Sequence, residues 1–303
     1  MRADGDAWTR CAAGHRHWGR YGAAGLLLRD RGDGTDRVVL QHRASWSHQG
    51  DTWGVPGGAR TSTESAVHAA LRETEEEAGI DPAAVRPTGI LVDDHGGWSY
   101  ATVLGEPIAP VHPRATGGES AEVRWVDVDA VDSLPLHPGF AAAWPRLRSA
   151  PPGTVLVVDA ANVVGARGGG DGWWRDRAGA TRRLAAALAP LRDGLPAAAL
   201  PPGVDPGPLD TLLPRVLVVV EGAARRVLHD VPPPGVELVA AAGSGDDAIL
   251  EVAAGAADRR PVLAVTADRG LRARLAEAGA ATVGPSWLLR LIDGPAGART
   301  DGR

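Results

Sequence analysis

Cysteine and lysine are scarce in this chain of 303 residues. There is one cysteine, Cys11, and no lysine, so all 32 basic residues are arginines. A single cysteine excludes an internal disulfide framework and favours a reducing compartment. No apolar run approaches the roughly 18–20 residues of a membrane-spanning helix, and the polar N-terminus does not resemble a signal peptide. We therefore expect a cytoplasmic protein with no membrane partner.

The chain also lacks the basic excess that is typical of nucleic-acid-binding proteins. Its formal net charge is -5, with 15 arginines against 20 acidic residues before Pro151 and 17 against 17 from Pro151 onward. This charge balance does not exclude local basic patches. Apolar residues make up 44% and charged residues 23%, which predicts a globular chain, and the length predicts two domains.

Residues 1–148 have the mixed order of an α+β domain. "AAGLLLRD" and "RVVLQHR" predict two strands of a hairpin joined by "RGDGTD". A helix is predicted from about Ser65 to Ala78, and "FAAAWPRLR" predicts a closing helix. Further predicted strands are "VRPTGILVDD", "WSYATVLGEP" and "AEVRWVDVDAV". The proline and glycine of "RSAPPG" then predict a linker at residues 149–153.

Residues 154–303 have the pattern of a second, α/β domain. Short apolar runs alternate with helical stretches, namely "TVLVVDAAN", "RVLVVVEG", "GVELVAAAG" and "PVLAVTADRG". Such continuous apolar strands are typical of a parallel sheet that is covered on both faces. A Pro/Ala-rich segment near residues 189–214 interrupts the pattern, and we expect it to be an irregular or mobile insertion.

Five glutamates fall within fourteen residues of the first predicted helix and its preceding turn: Glu64, Glu73, Glu75, Glu76 and Glu77. At 100° per residue, an apolar stripe is predicted on one side, formed by Val67, Leu71, Thr74 and Ala78. Glu73, Glu76 and Glu77 lie on the far side, where their repulsion costs roughly 0.2–0.5 kcal/mol per pair. A divalent cation would reverse that repulsion, so the cluster predicts either a metal site or a solvated acidic face.

The turn before the helix favours the metal site. Gly57 and Gly58 of "WGVPGGA" would let the backbone approach a ligand closely. A capping box, Thr61-x-x-Glu64, is the alternative for Glu64 but does not explain the full spacing. That spacing runs from Gly58 through Glu64, Arg72-Glu73 and Glu76-Glu77 to Gly79 and Ile80. It resembles the Nudix box, with Thr74 where a larger aliphatic residue is usual, and the resemblance extends over about Gly19 to Arg148.

The resemblance implies a Nudix-type α/β/α sandwich with a mixed sheet. It also implies hydrolysis, with Mg²⁺ or Mn²⁺, of a diphosphate linkage in a nucleoside diphosphate derivative such as an NTP or an oxidised dNTP. The implied metal ligands are the Gly58 carbonyl, Glu64, Glu73, Glu76 and Glu77. Arg72 would orient a glutamate through charge-assisted hydrogen bonds. The general base would be a box glutamate, such as Glu76 or Glu77, or a residue of a later loop.

Candidates outside the box each have a plain structural alternative. Glu119 and Glu122 would serve as general base or be solvated loop residues. Arg43 would contact phosphate or lie on the surface. In "VDDHGGWSY", His95, Trp98 and Tyr100 would recognise a base or pack on a strand face. Near the N-terminus, Cys11, His15 and His17 would form a metal site or have only a local role at the surface.

Acidic residues recur where the apolar runs of the second half stop. These candidates are Asp159 with Asn162, Glu221, Asp246 with its neighbour Asp247, and Asp268. The carboxyl ends of parallel strands meet at one sheet edge, where such folds place their sites. Helix capping is the alternative for any single aspartate.

"VVDAANVVG", "GSGDDAI" and "VTADRGL" resemble PIN-like domains of the NYN type over about Thr154 to Ile292. The resemblance implies a metal-dependent ribonuclease in which Asp159, Asp246 and Asp268 hold metal and Asn162 supports Asp159. Glu221 departs from the family pattern, where aspartate is common.

Three hypotheses follow from these patterns. The first is a Nudix hydrolase fused to a ribonuclease-like domain. The second is an RNA-processing nuclease whose Nudix half trims RNA 5′ ends. The third is a nucleotide-sensing regulatory module. RNA binding at the C-terminal domain would use four residues of "DGWWRDR", namely Trp173, Trp174, Arg175 and Arg177. The alternative is that the two tryptophans pack together and the arginines lie on the surface.

Overall fold

The computed structural model describes residues 4–32, 34–167 and 174–294, and the chain divides into two compact units. The first unit takes the chain up to Ala150 together with Gly207–Thr211. The second takes Pro151–Pro206 and the chain from Leu212 onward. These bounds differ from the predicted domains at Gly207–Thr211. Within the described ranges, no helix is both long and apolar enough to cross a membrane.

Among the described residues, the first unit contains nine complete strands and two α-helices. Its elements are β1 (Trp8–Arg10), β2 (Arg16–Trp18), β3 (Ala23–Asp30), β4 (Arg37–Arg43), β5 (Trp53–Gly54), β6 (Gly57–Ala59), α1 (Ala66–Ala78), β7 (Val85–Asp94), β8 (Ser99–Pro107), β9 (Ser120–Asp127) and α2 (Pro138–Ser149). β1 and β2 form a separate antiparallel hairpin. The main sheet runs in the order β7-β8-β3-β4-β5, with β6 on β3 and β9 on β4.

Each face of the main sheet carries one helix. Side chains of β3 alternate between the faces, so that Leu27 packs with α2 while Leu26 and Leu28 pack with α1. All three leucines are fully buried. Trp144 of α2, also fully buried, fills the second face. The two helices therefore cover a mixed sheet as an α/β/α sandwich, as predicted.

The predicted hairpin of β3 and β4 is only a small part of their pairing. The two strands join over Arg29↔Val38 and Asp30↔Arg37. β3 instead pairs in parallel with β8 along most of its length, and β4 pairs antiparallel with β9. The strand bounds followed from local composition, whereas these partners are distant in the sequence.

Helix α1 is defined by its caps and by small buried residues. The Ser65 hydroxyl accepts a hydrogen bond from the His68 N–H, and Gly79 ends the helix with φ of +62°, a conformation that favours glycine. The fully buried face is Ala69, Ala70, Thr74 and Ala78, and Val67 and Leu71 of the predicted stripe are half-buried and pack against the same core. Alanines let the helix lie close to the sheet.

The second unit is built on five parallel strands. Its elements are β10 (Val155–Asp159), α3 (Ala160–Arg167), α4 (Arg177–Leu188), β11 (Leu195–Pro196), β12 (Thr211–Leu212, which begins in the first unit), β13 (Arg215–Val220), β14 (Val236–Ala240), α5 (Gly245–Ala257), β15 (Val262–Val265), α6 (Arg269–Glu277), β16 (Ala281–Val283) and α7 (Pro285–Asp293). The sheet order is β14-β13-β10-β15-β16. Leu156 and Val158 face one apolar core and Val155 and Val157 the other, as expected of a doubly covered sheet.

The segment near residues 189–214 contains short strands and turns of 3-10 helix, and part of it belongs to the first unit. Leu209 is buried in the core that contains α2. The Asp210 N–H donates to the Ile90 carbonyl at 3.0 Å, and the Asp210 carboxylate accepts from the Val92 N–H at 2.7 Å. These bonds dock Gly207–Thr211 against strand β7 because the edge of that strand offers unpaired backbone groups.

A close glycine pairing beside the site supplies a stability prediction. Gly25 of β3 pairs with Gly57 of β6. A Cβ on Gly25 would lie 2.2 Å from the Tyr100 hydroxyl and 2.7 Å from the Pro56 carbonyl oxygen. Because a backbone oxygen cannot rotate away, Gly25→Ala should lower the free energy of unfolding by about 1–3 kcal/mol in urea denaturation followed by tryptophan fluorescence. Gly118→Ala, which meets no atom within 4 Å, is the control. Equal midpoints for the two variants would contradict the prediction.

Candidate active site

Arg72 binds three of the clustered glutamates at once. Its Nε and Nη2 donate to the two carboxylate oxygens of Glu64, at 2.7 and 3.0 Å. Its Nη1 donates to Glu73 at 2.8 Å and more weakly to Glu76 at 3.4 Å. Nη2 also reaches the Ala59 carbonyl, at 3.1 Å. The guanidinium therefore ties helix α1 to strand β6 and to the turn that leads into the helix.

Glu64 has a fixed, charged role within this network. The Arg72 hydrogen bonds lower the pKa of Glu64 to about 2. Its Oε2 also accepts from the Thr61 N–H at 3.0 Å, so the side-chain contact of the predicted capping box forms. The helix cap itself is Ser65, however, and Thr61 therefore closes a turn before the helix rather than capping it.

Glu77 is buried against the backbone of the glycine turn. Its Oε2 accepts from the Gly57 N–H at 2.9 Å. Burial raises the pKa of Glu77 to about 7, and the nearby Glu73 charge adds to the rise, while the Gly57 hydrogen bond and the Arg43 charge oppose it. This side chain was predicted to lie on the open side of the helix, but β6 covers it because glycines let the strand approach.

The Glu73 carboxylate lies against Gly58, in space that a side chain at position 58 would occupy. A Cβ at Gly58 would sit 2.5 Å from the Glu73 carboxyl carbon. Burial raises the pKa of Glu73, with Arg72 opposing the rise. Glu76, by contrast, has 60% of its side chain exposed. Of the three carboxylates, those of Glu73 and Glu77 are therefore covered by neighbouring groups, and that of Glu76 is exposed.

This donor set fits a hard divalent cation. Carboxylate and backbone carbonyl oxygens are the ligands that Mg²⁺ prefers, and positive charge would favour the ionised forms of Glu73 and Glu77 that burial opposes. Arg72 and Gly57 hold these carboxylates apart. Among the described residues, their oxygen atoms do not form a group in which all lie within 4.8 Å of one another. Ligation would require these contacts to loosen.

A pocket of about 390 Å³ opens beside the glutamates. It includes Gly57, whose N–H holds Glu77, and Arg43, whose Nε donates to the His48 carbonyl at 3.1 Å. The aromatic and imidazole side chains that line it are His17, His95, Trp98, Tyr100, His137 and Phe140. The structure therefore brings the sequence candidates Arg43, Trp98 and Tyr100 to one cavity.

Trp98 has a fixed orientation in this pocket. Its indole N–H donates to the carbonyls of Trp18 and Gly19, at 3.2 and 3.0 Å. The ring of His17 stacks on it with centroids 4.0 Å apart and planes 13° from parallel. With its polar edge occupied, the indole offers a flat apolar surface to a ligand.

The two general-base candidates of the later loop make contacts outside the glutamate cluster. Glu119 is exposed, and its carbonyl accepts from the Ala44 N–H. Glu122 lies on β9, where its carboxylate pairs with Arg124 at 2.9 Å. The loop before them contacts α1, because the Thr116 hydroxyl donates to the Glu76 carbonyl, and their role in catalysis stays a prediction.

His137 and Gln41 contribute to the site but were not singled out from the sequence. The His137 ring caps α2 by accepting from the Gly139 N–H, and burial lowers the pKa of His137. The "HPG" stretch at the start of a helix was the available signal, because proline favours the first helical position. Gln41 is buried and donates to Ser120 at 2.7 Å, and it also stabilises ionised Glu77. A glutamine inside the apolar run "RVVLQHR" was its signal.

The second unit gathers acidic residues at the carboxyl edge of its sheet. Asp159 ends β10 and accepts from the Asn162 N–H at 3.0 Å and the Thr266 hydroxyl at 2.9 Å. The side-chain amide oxygen of Asn162, Oδ1, accepts from the Ala267 N–H. Burial raises the pKa of Asp159. Asp268 accepts from the Leu271 N–H at 2.7 Å, so the predicted capping alternative holds for this residue.

Asp246 faces this edge whereas Asp247 does not share its environment. Burial and the charges of Asp268, Asp159 and Glu221 raise the pKa of Asp246. Asp247 pairs instead with Arg274 at 2.7 Å. The Glu221 carboxylate accepts from the Gly245 N–H at 2.8 Å, at the start of α5. Of the four aromatic and basic residues considered for RNA, Trp173 lies outside the described residues, and Trp174 is 54% exposed.

Comparisons with known proteins match the first unit. Residues 19–147 match the family described as "NUDIX domain". The chain is 53% identical over 161 residues to a Mycobacterium tuberculosis protein named "Putative 8-oxo-dGTP diphosphatase 3", covering 50% of this chain and 72% of that protein. It is 46% identical over 147 residues to a Bifidobacterium longum "Nucleoside triphosphate pyrophosphatase/Nudix hydrolase fusion protein", covering 47% of this chain and 30% of that one. A crystal structure of a Nudix hydrolase from M. smegmatis is 49% identical, with 48% of this chain and 93% of that chain covered and a TM-score of 0.44.

The buried carboxylate of Glu77 predicts a pH dependence for the metal-free protein. Its pKa rises from 4.5 in the ordinary case to about 7 in the fold, so the folded state holds a proton that the unfolded chain has lost between these values. The contribution of this group to the free energy of unfolding is fully present below pH 4.5. It falls by roughly 3 kcal/mol as the pH rises from 4.5 through 7. Denaturant unfolding in a chelator should show this fall, and Glu77→Gln should reduce it. Glu75→Gln, an exposed site on the same helix, is the control. A Glu77→Gln curve parallel to wild type would contradict the assignment.

Proposed function

The chain belongs to the Nudix hydrolase family, which acts on pyrophosphate bonds of nucleotide derivatives, and from this we propose that its first unit is a divalent-metal-dependent nucleoside triphosphate pyrophosphohydrolase. An oxidised deoxynucleoside triphosphate is the first substrate to test, because the printed name of the mycobacterial relative specifies 8-oxo-dGTP. Mg²⁺ and Mn²⁺ are the candidate metals.

One observation carries the proposal, namely that the aromatic pocket and the glutamate cluster share Gly57. A base held against Trp98 would have its phosphates on the side of the α1 carboxylates. Arg43 lines the same pocket and carries a permanent positive charge suited to phosphate. Base recognition and phosphate chemistry therefore have adjacent groups on one unit.

The proposed division of labour follows the contacts of each residue. Glu73, Glu76, Glu77 and the Gly58 carbonyl would hold the metal, and Glu64 would hold Arg72 in place. When bound, Mg²⁺ or Mn²⁺ would neutralise phosphate charge and lower the pKa of a water molecule. Arg72 keeps Glu73 oriented through its 2.8 Å hydrogen bond. Glu76 is the open carboxylate of the set and is our first candidate to take the proton of the attacking water.

Loss of the Glu76 charge tests the site directly. Full-length protein and Glu76→Gln should be compared on NTPs, oxidised dNTPs, dinucleoside polyphosphates, nucleotide sugars and NAD-like compounds with Mg²⁺ or Mn²⁺. We expect turnover by the wild type and a roughly 100- to 10,000-fold lower kcat in the variant, because an amide cannot take the proton of the attacking water and binds a hard cation less well than a carboxylate.

Glu75→Gln is the matched control, since Glu75 is the exposed glutamate next to Glu76 and has no proposed role. It should keep wild-type turnover. Equal turnover by Glu76→Gln and wild type, or no turnover of any panel member with either metal, would overturn the proposed function. Nucleotide binding without turnover would favour the sensing hypothesis.

We also propose a second activity, a PIN-like metal-dependent ribonuclease site in the second unit. The observation that favours it is a group of four acidic residues, since burial and the charges of Asp268, Asp159 and Glu221 raise the pKa of Asp246. Mutually repelling carboxylates with raised pKa values are common at functional sites. The parallel sheet edge is also where such folds bind ligands.

Asp159→Asn tests this second site, and Glu76→Gln in the same chain removes the first. We expect Mg²⁺- or Mn²⁺-dependent cleavage of single-stranded RNA by the Glu76→Gln protein, and its loss when Asp159→Asn is added. Asp247→Asn is the control because Asp247 is engaged by Arg274. Far-UV circular dichroism should show that each variant is folded. Cleavage that survives Asp159→Asn, or no cleavage by any protein, would overturn the ribonuclease proposal.

A further inference from the structure

The N-terminal hairpin places three potential metal ligands on one face. β1 and β2 pair through Thr9↔His17 and Arg10↔Arg16, and the same register puts Cys11 opposite His15. The Cys11 N–H donates to the His15 carbonyl at 3.1 Å, which closes the hairpin end. Side chains two residues apart on a strand share a face, so His15 and His17 project on the same side.

The three side chains also meet in space. One ligand atom each from Cys11, His15 and His17 lies within 4.8 Å of the other two, a separation that a single metal ion can bridge. In the part of the chain that the structure describes, this is the one group of three or more Cys, His, Asp or Glu side chains with that property. The carboxylates of the active site do not share it.

His17 has a nitrogen suited to ligation. Its Nε2 is buried without a hydrogen-bond partner. A buried polar nitrogen that lacks a partner is costly, because burial removes its hydrogen bond to water. Cys11 is 5% exposed.

We propose that Cys11, His15 and His17 bind a zinc ion, at a site separate from the glutamate cluster. Thiolate and imidazole ligands suit Zn²⁺, whereas the all-oxygen set on α1 suits Mg²⁺. Three protein ligands leave a fourth tetrahedral position for water. Gly14, with φ of +82°, allows the tight turn that returns His15 towards Cys11.

Zinc at this position would stabilise the side of the aromatic pocket that His17 and Trp98 form. His17 stacks on Trp98 at 4.0 Å, and both side chains line the pocket. The hairpin end is also tied to the loop before Trp98, because the Ala12 N–H donates to the Gly96 carbonyl at 2.7 Å. A metal bond to His17 would fix the imidazole plane against which Trp98 rests. The proposed zinc would therefore support the wall of the pocket.

Cobalt titration of the full chain tests the site spectroscopically. Metal-stripped protein in excess Mg²⁺ should take up one Co²⁺ with tetrahedral visible bands and a thiolate-to-cobalt charge-transfer band in the near ultraviolet. Because the chain has one cysteine, that band can come only from Cys11. Zn²⁺ should displace the cobalt, following the usual affinity order of divalent metals.

Cys11→Ser should abolish the charge-transfer band, and His17→Gln should weaken zinc binding at least about tenfold. Glu73→Gln, which alters the oxygen site, should leave the band unchanged. Circular dichroism of the metal-free variants checks that each is folded. Absence of the band in wild type, or zinc affinity that Cys11→Ser and His17→Gln leave unchanged, would overturn the site. This readout does not depend on nucleotide hydrolysis.

Discussion

The close approach of helix α1 to strand β6 is the constraint on which the candidate site depends. A Cβ at Gly58 would meet the Glu73 carboxylate of α1, and a Cβ at Gly57 would meet the Gly25 Cα of β3 at 2.5 Å, so that β6 lies close to both neighbours. The glycines therefore let two glutamates be buried against backbone instead of pointing to solvent. Burial of like charges is unfavourable by itself, and the Arg72 guanidinium offsets it through hydrogen bonds to Glu64 and Glu73.

Local sequence predicted much of the fold and the identity of the candidate ligands. Strands β3, β4 and β7 have the predicted bounds because apolar runs and turn residues are local signals. The parallel pairing of β3 with β8, and the docking of Leu209 in the first unit, were not predictable from such signals because both join residues far apart in the chain. Helical spacing predicted which glutamates cluster but not that Glu73 and Glu77 would be covered, since that depends on β6. The pocket residues His17 and His137 come from segments distant from the box, and only folding brings them together.

The second unit shows how one residue type serves two roles at one sheet edge. Asp268 caps α6 through the Leu271 N–H, yet its charge also raises the pKa of Asp246. Asp159 likewise accepts from Asn162 at the start of α3 while lying buried at the end of β10. Capping and a role at the site edge are therefore compatible, because an aspartate has two oxygens. Sequence alone presented them as alternatives.

The direction of each pKa shift separates the structural carboxylates from the candidate ligands. Glu64 and Asp36 have lowered pKa values because an arginine donates directly to each, and both act as fixed partners of that arginine. Glu77 and Asp159 have raised pKa values because burial outweighs their hydrogen bonds, and Asp246 has a raised pKa because burial acts together with neighbouring acidic charges. A group of the second kind destabilises the ionised fold, and natural sequences tend to keep such groups where they have a function. That both units contain them, each at the position its motif predicts, is the physical reason for treating the chain as carrying two candidate sites rather than one.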